Sequence, residues 1–170
     1  IRAILDVEQP QADEGRLHTE FNPDGSMAKR TQAWAGNRGQ AITASFLVML
    51  LRASQAIGDE RGLALARRAG RIYLESMVPR DTIVRAGDPG MVIALMGELF
   101  QITGEKQWLD AGMLHATDAL ELYFDCPLPR MSLGRNHYES QQGSSVLVHA
   151  LGRLALAAEG KSWQGNLAVA

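Results

Sequence analysis

The sequence predicts an all-α protein whose helical hairpin repeats form part of an α/α toroid, with a small β-hairpin near the N-terminus. A unit with one layout occurs three times, in residues 39–77, 89–124 and 142–170. In each unit a nearly all-apolar helix is followed by a short turn of glycine and an acidic residue, and then by a second helix. This repetition is typical of stacked helical hairpins.

The two helices of a unit differ in how their apolar residues are distributed. In residues 41–57 almost every position is apolar or small, and a helix that is apolar on all sides must be buried on all sides. Residues 60–77 are amphipathic, with Leu65 and Ile72 near one face and Arg67 near the other. We therefore expect the first helices to be inner and the second helices outer. This pattern favours a toroid over an open solenoid, in which both helices are usually amphipathic.

Residues 15–32 are the only region that reads as β-strand. The segments RLHTEF and SMAKRTQ flank Asn22-Pro23-Asp24-Gly25. Proline fixes φ and glycine adopts positive φ, so this stretch predicts a turn between two antiparallel strands.

The turns between the helices also follow the repeat. Gly58 and Gly104 stand where a helix is expected to end in the left-handed conformation, which glycine adopts without steric cost. We take residues 1–170 as one domain of about three hairpins. Residues 1–7 resemble the end of a helix and residues 161–170 the start of one, which predicts a fragment of a larger toroid. A partial ring exposes its inner helices to water, so we expect a missing half-domain or a homo-oligomer contact.

Three charged residues occupy equivalent positions in the three apolar helices. Arg52, Glu98 and Arg153 each precede their hairpin turn by the same number of residues. A buried charge needs a partner. We therefore predict that these side chains form a chain of salt bridges between hairpins, with a structural and not a catalytic role.

Composition excludes several classes of function. A formal net charge of −2 is unlike that of a protein that binds nucleic acid through a basic surface. No apolar run reaches the roughly 20 residues that a membrane helix needs. The single cysteine, Cys126, excludes an internal disulfide and a multi-cysteine zinc site, and it is compatible with cytoplasm, periplasm or secretion. No metal-ligand spacing is present, and the sequence predicts no metal or cofactor.

Three polar loops precede the apolar helices, in residues 30–39, 82–90 and 133–143. The inner helices of a toroid run in one direction, so these loops are expected to share one rim. The opposite rim carries only the short turns. We therefore expect the binding face at the rim that the three loops form.

The first loop carries Trp34, Asn37, Arg38 and Gln40 as candidate substrate-binding residues. A tryptophan can stack on a sugar ring, and Asn, Arg and Gln side chains bind hydroxyl or carboxylate groups. The alternative is that Trp34 packs into the core and Asn37 caps the helix.

The second loop contributes Asp88, which is followed by Pro89. This pair matches a helix N-cap with proline at the first helical position. Capping is the favoured role for Asp88, and substrate binding is compatible with it.

The third loop contains the run Arg135, Asn136, His137, Tyr138 and Glu139. His137 is a candidate general base, Tyr138 an acid or base, and Glu139 an acid, while Arg135 or Asn136 could hold a carboxylate. The alternative is that Glu139 or Ser140 caps the following helix and that Tyr138 packs into the protein.

Short motifs in this chain resemble six-hairpin glycosidase-like proteins. The W-A-x-x-R-G-Q-A segment at residues 34–41, followed by Gly-acidic turns at residues 57–59 and 102–105, is similar to motifs of unsaturated glucuronyl hydrolases and glucuronyl epimerases. The resemblance implies a toroid that acts on uronic acids. In the hydrolases the arginine stands closer to the tryptophan, the ring has six hairpins, and the catalytic aspartates of the N-terminal half have no counterpart here.

A second resemblance is carried by Asn136-His137-Tyr138. Toroidal polysaccharide lyases use an Asn-His pair near an aromatic residue, where Asn neutralises the uronate carboxylate and His or Tyr removes the C5 proton. Arg135 stands where those lyases often have a first Asn, and the tyrosine is closer than usual.

Taken together, the residues predict a carbohydrate-active enzyme domain, either a glycoside hydrolase or a uronate lyase-like enzyme, that acts on an acidic oligo- or polysaccharide. The alternative is a non-catalytic helical-repeat module that binds a glycan or a protein partner. Convergence of the three loops on one concave pocket would favour the enzyme.

Overall fold

The protein is mainly helical in a computed structural model that describes residues 2–24, 26–35, 39–138 and 143–161. The α-helices are α1 (Arg2–Leu5), α2 (Ile42–Ile57), α3 (Arg61–Gly70), α4 (Gly87–Thr103), α5 (Lys106–Tyr123) and α6 (Ser144–Ala158). Short 3₁₀ helices span Ala12–Glu14 and Arg71–Leu74. The strands are β1 (His18–Phe21), β2 (Met27–Arg30), β3 (Arg130–Ser132) and β4 (Arg135–Tyr138).

The three apolar helices α2, α4 and α6, called the inner helices below, lie side by side. At their first turns the backbone N–H of Ala41 donates to Asp88 Oδ1 at 2.9 Å, which joins the start of α2 to the start of α4. Gly87 and Gly143 are in contact, since a Cβ built on Gly87 would lie 3.0 Å from the Gly143 Cα. The start of α6 therefore adjoins the start of α4.

The predicted salt-bridge chain joins the same helices farther along and is confirmed. Glu98 Oε1 accepts hydrogen bonds from Arg52 Nε at 2.9 Å and from Arg153 Nη1 at 3.1 Å. Because the helices touch both at their starts and at equivalent interior positions, they run in the same direction, with α4 in the middle.

The amphipathic helices α3 and α5 form a second layer behind the inner helices, as predicted. Gly62 of α3 lies against Ser54 of α2, and Gly112 of α5 lies against Met96 of α4 and Leu154 of α6. Glycines at these contacts allow the helix axes to approach closely. The buried core lies between the two layers, and its largest fully buried side chains include those of Tyr73, Leu95, Leu99, Trp108, Tyr123 and Leu147.

Both predicted turn glycines take the left-handed conformation. Gly58 has φ of 67° and Gly104 has φ of 68°, each directly after the last residue of an inner helix. The N-terminal β-hairpin is also confirmed, since β1 pairs antiparallel with β2. Asp24 Oδ1 accepts the backbone N–H of Ser26 at 2.9 Å and orders the turn between the strands.

A second β-hairpin was not predicted, and the expectation that residues 15–32 are the only strand region is wrong. Strands β3 and β4 pair antiparallel around a tight turn in which Gly134 has φ of 73°. The first four residues of the run Arg135–Glu139 therefore form strand β4 and not an open loop. Strand β3 also pairs with the segment before α4, because Ala86 N donates to Met131 O and Leu133 N donates to Val84 O. That partner is distant in sequence, so the local pattern did not reveal it.

The outer helix predicted over residues 60–77 is shorter than expected. The α-helix ends at Gly70 and tightens into a 3₁₀ turn. The Tyr73 hydroxyl lies in the core, where it donates to Ala33 O at 2.8 Å and accepts from Ala44 N at 3.1 Å. These bonds hold the chain in the tighter turn. No helix within the described ranges has the length and apolarity needed to cross a membrane.

Candidate functional site

The loops before the three inner helices meet at one end of the molecule, as predicted. We call this end the loop rim; it comprises residues 31–35, 39–41, 82–88 and 125–138 together with Gly143. The Ala41–Asp88 hydrogen bond and the Gly87–Gly143 contact join its parts. Because α5 runs antiparallel to α4, its C-terminal end and the β3–β4 hairpin lie at the same rim.

Asp88 lies inside the first turn of α4, so its prediction as the N-cap of that helix is wrong. The N-cap is Ala86, and Asp88 and Pro89 are the second and third helical residues. Proline is tolerated in the first turn because the N–H groups there have no intrahelical acceptor. The Asp88 carboxylate instead accepts the N–H of Ala41 and so satisfies the first turn of the neighbouring helix α2.

Burial dominates the electrostatics of Asp88. It raises the pKa of this carboxyl group above its ordinary value, while the hydrogen bond from Ala41 and the charge of Arg85 act in the opposite direction. Asp88 is thus a half-buried junction between two helices, and the predicted role in substrate binding stays a prediction.

Trp34 is held by protein contacts. Its indole Nε1 donates to Ser76 O at 3.3 Å, and its ring meets the edge of Tyr73 with 5.9 Å between ring centroids. The side chain is half-buried and packs against the core. These contacts favour packing over sugar stacking for this residue.

The other candidates in the first loop differ in what the structure describes of them. The Gln40 side chain is exposed, while its backbone exchanges two hydrogen bonds with Ala35. Gln40 is therefore available to a ligand at the rim. Asn37 and Arg38 lie outside the described residues.

The third loop brings Tyr138 into a cluster that the sequence did not predict. The Tyr138 hydroxyl lies 3.1 Å from Oδ2 and 3.2 Å from Oδ1 of Asp125. Arg130 Nε donates to Asp125 Oδ1 at 2.9 Å, and Arg130 Nη2 donates to Oδ2. We call these residues the Asp125–Arg130–Tyr138 cluster. Glu139 and the side chains of Arg135, Asn136 and His137 lie outside the described part of the chain.

The cluster keeps Asp125 ionised. The hydrogen bonds from Arg130, with a further contribution from Tyr138, lower the pKa of Asp125 to about 2. An ionised carboxylate that accepts the tyrosine O–H orients the hydroxyl group, whose single proton then points at Asp125. One feature of the sequence pointed to Asp125. It is an acidic residue that closely follows an outer helix, at the end of the molecule where the loops lie.

A buried polar group lies behind the rim. His115 is fully buried, and its Nε2 lies 2.7 Å from Tyr73 O. Burial lowers the pKa of His115, so the imidazole is neutral and Nε2 carries the proton that is donated to the carbonyl. Asp118, one turn farther along α5, accepts a hydrogen bond from Arg80. His115 and Asp118 are buried in the outer layer, whereas the Arg80 side chain is exposed.

A depression of about 190 Å³ lies at the opposite end of the molecule, beside the α2–α3 turn. Its lining is mostly apolar and includes Leu51, Leu63 and Ile102. Only a short turn was expected at this end. The depression fits a small apolar group better than a charged sugar, because Asp59 and Glu60 at its edge repel anions.

Within the described ranges, no group of three or more His, Cys, Asp or Glu residues is placed to hold a metal ion. Comparison with protein-family models, with curated proteins and with solved structures found no match for this chain.

Proposed function

We propose that this chain is a carbohydrate-active domain that binds an acidic oligo- or polysaccharide at the loop rim and acts on it as a glycoside hydrolase or a uronate lyase-like enzyme. The observation that carries the proposal is the Asp125–Arg130–Tyr138 cluster, which puts an oriented hydroxyl group at the rim where the three loops meet. Arg130 adds positive charge for an acidic substrate, although Asp125 neutralises most of it.

In this proposal Tyr138 donates or accepts the proton, and Asp125 positions it. His137 and Glu139 remain the candidate base and acid, and Arg135 or Asn136 the carboxylate-binding group. The reaction class depends on the partner of Tyr138. A base that removes the C5 proton gives a lyase, whereas an acid that protonates the glycosidic oxygen gives a hydrolase.

The test is activity on a panel of polyuronates. Ultraviolet absorbance of an unsaturated product detects a lyase, and new reducing ends without that absorbance detect a hydrolase. We expect Tyr138→Phe to lower kcat by about 100-fold or more, because acid–base groups contribute roughly 10²–10⁴-fold. The variant keeps the ring and removes only the hydroxyl.

Two aspartate variants form a matched comparison, with Asp125→Asn as the test and Asp110→Asn as the control. Asp125→Asn disturbs the cluster, whereas Asp110→Asn removes an exposed aspartate that pairs with Lys106 near the other end of α5. We expect only the first to lower activity. Absence of both products across the panel, or equal effects of the two variants, would count against the enzyme.

A second candidate is a non-catalytic module that binds a glycan. It is favoured by the hydrogen bond that the Tyr138 hydroxyl donates to Asp125, because this bond engages the proton that an acid catalyst would donate. Under this alternative, acidic glycans bind without any product, and Tyr138→Phe changes affinity but leaves the glycan intact.

A further inference from the structure

The arginine triad, which we define as Arg52, Glu98 and Arg153, lies on the surface where the three inner helices meet. Each residue stands in the second half of its helix, about 15 Å from the loop rim at 1.5 Å of rise per residue. The Glu98 side chain is 8% exposed, that of Arg153 is 14% exposed, and that of Arg52 is 30% exposed. The carboxylate is therefore buried beneath two arginines that reach the surface.

The triad carries an excess of positive charge. Both arginines donate to the same atom, Glu98 Oε1. Two guanidinium groups have ten N–H donors between them, and three of these are used on Glu98. One carboxylate neutralises one of the two positive charges. A second anion would complete the charge balance of this partly buried site, where electrostatic interactions are stronger than in water.

The positive charges of Arg52 and Arg153 also act on a neighbouring side chain. His149 stands one turn before Arg153 on α6. Its pKa is lowered first by burial and then by the positive charges of Arg153 and Arg52.

The surface around the triad suits a ligand that has both an apolar face and an acid group. Met49 is 56% exposed and lies one turn before Arg52. Gly152, next to Arg153, has open space where a side chain would stand. A narrow crevice between α4 and α6, lined in part by Gln101 and Arg153, adds a polar edge.

We propose that the arginine triad binds the carboxylate of one sugar unit of an acidic saccharide, at a subsite about 15 Å from the loop rim. Guanidinium groups match the planar carboxylate with paired hydrogen bonds. The choice of a uronate rests on the proposed function, whereas the anion-binding role rests on the triad itself.

The competing explanation is that the triad only ties the hairpins together. The two explanations differ in what Glu98→Gln does. If the triad binds a carboxylate, this variant removes a repelling charge and releases guanidinium donors, so the affinity for glucuronate rises. If the triad only joins the helices, Glu98→Gln lowers the free energy of unfolding and leaves the affinity for glucuronate unchanged.

The experiment measures binding of glucuronate, glucose and acetate to the folded chain by calorimetry or by NMR titration. Glucose is the uncharged sugar that matches glucuronate, and acetate is the carboxylate without a ring. We expect glucuronate to bind most tightly and glucose not to bind. We expect Arg52→Gln to weaken glucuronate binding by about tenfold or more, the loss of a charge-assisted hydrogen bond. Arg67→Gln, which removes an exposed arginine paired with Glu105 on the outer layer, is the matched control and should leave binding unchanged.

Each result decides something. Equal binding of glucose and glucuronate, or equal effects of Arg52→Gln and Arg67→Gln, overturns the site. If glucuronate does not bind although longer polyuronates are bound and cleaved, the proposed function stands and this subsite falls. If glucuronate binds through Arg52 but no polyuronate is cleaved, the subsite stands and the enzyme falls. Should Glu98→Gln fail to fold, the comparison of Arg52→Gln with Arg67→Gln still decides the question.

Discussion

Glu98 is the residue through which all three inner helices are joined by side-chain hydrogen bonds. It accepts from Arg52 on one side and from Arg153 on the other. The sequence predicted this contact because three charges recurred at equivalent positions of helices that had to be buried. This inference was possible because a charged side chain in an apolar helix requires a partner nearby.

Replacing Glu98 with Ala should lower the free energy of unfolding by about 2–3 kcal/mol. Breaking a fully buried ion pair costs roughly 3–5 kcal/mol, and the cost here is smaller because Arg52 keeps contact with water. The surface pair Arg67–Glu105 provides the comparison, and Arg67→Ala should cost no more than about 1 kcal/mol. Urea denaturation of both variants measures the difference. Equal costs would show that the triad is no more important than a surface pair.

His115 should titrate below its ordinary range in the folded protein. Burial lowers its pKa, although Asp118 and the bond to Tyr73 oppose the shift. Because the unfolded chain has the ordinary pKa of 6.5, the unfolded state binds the proton more readily, and the free energy of unfolding decreases as pH falls below about 6.5. NMR titration of the His115 imidazole gives the pKa directly. A midpoint at or above 6.5 would contradict the buried neutral form.

For Asp88, the sequence predicted a nearby helix start but not the hydrogen-bond partner of the carboxylate. The Asp-Pro pair matched a helix start, and α4 does begin within two residues of it. Which helix the carboxylate serves depends on the position of Ala41, which is far away in sequence. Asp125 was missed because its partners Arg130 and Tyr138 are brought to it by a hairpin that was not predicted.

At the scale of elements, the strongly apolar helices were predicted almost to the residue, as α2 was expected over 41–57 and spans Ile42–Ile57. Periodicity and a turn glycine determine such a helix locally. The β3–β4 hairpin was missed because its strands are short and one of them depends on pairing with Val84 and Ala86. The 3₁₀ turn after α3 depends on where the Tyr73 hydroxyl bonds, which is again a distant contact.

The contact between α4 and α6 should not tolerate a side chain at Gly90. A Cβ there would lie 2.8 Å from the backbone N and Cα of Leu147. We therefore expect Gly90→Ala to push the two helices apart and to lower the free energy of unfolding by about 1–3 kcal/mol, the usual cost of overpacking.

Gly152→Ala is the matched control within α6. No atom lies within 4 Å of a Cβ built on Gly152, so the exchange should be neutral or stabilising by up to about 1 kcal/mol. Thermal denaturation of the two variants, measured side by side, tests the close approach. If Gly90→Ala were as stable as Gly152→Ala, the two helices could not be packed as closely as described.

At the scale of the whole molecule, parallel inner helices backed by an outer layer produce two features at once. Their first turns gather the polar loops at one rim, and their interior positions gather the arginine triad on the surface that they share. The sequence predicted that the loops would meet, because the repeat sets the direction of the inner helices. It did not predict which loop side chains would be taken up by packing, because the positions of Trp34 and Asp88 depend on contacts between separate hairpins.

Several large apolar side chains are exposed on the surface of the molecule. Met49 and Val148 lie on the inner helices, and Leu114 and Leu120 lie on the outward side of α5. We keep the expectation of a further half-domain or a homo-oligomer contact as a proposal, with the exposed apolar side chains of the inner helices as part of its surface.

The most direct test is an NMR titration of the chain with a short uronate oligosaccharide, followed at backbone amides and arginine side chains. A single acidic ligand that spans the loop rim and the inner helices should shift the signals of Tyr138 and Asp125 together with those of Arg52 and Arg153. The outward side of α5 should remain unchanged. Shifts confined to the depression beside the α2–α3 turn, or no shifts at millimolar ligand, would show that neither the loop rim nor the arginine triad binds an acidic saccharide.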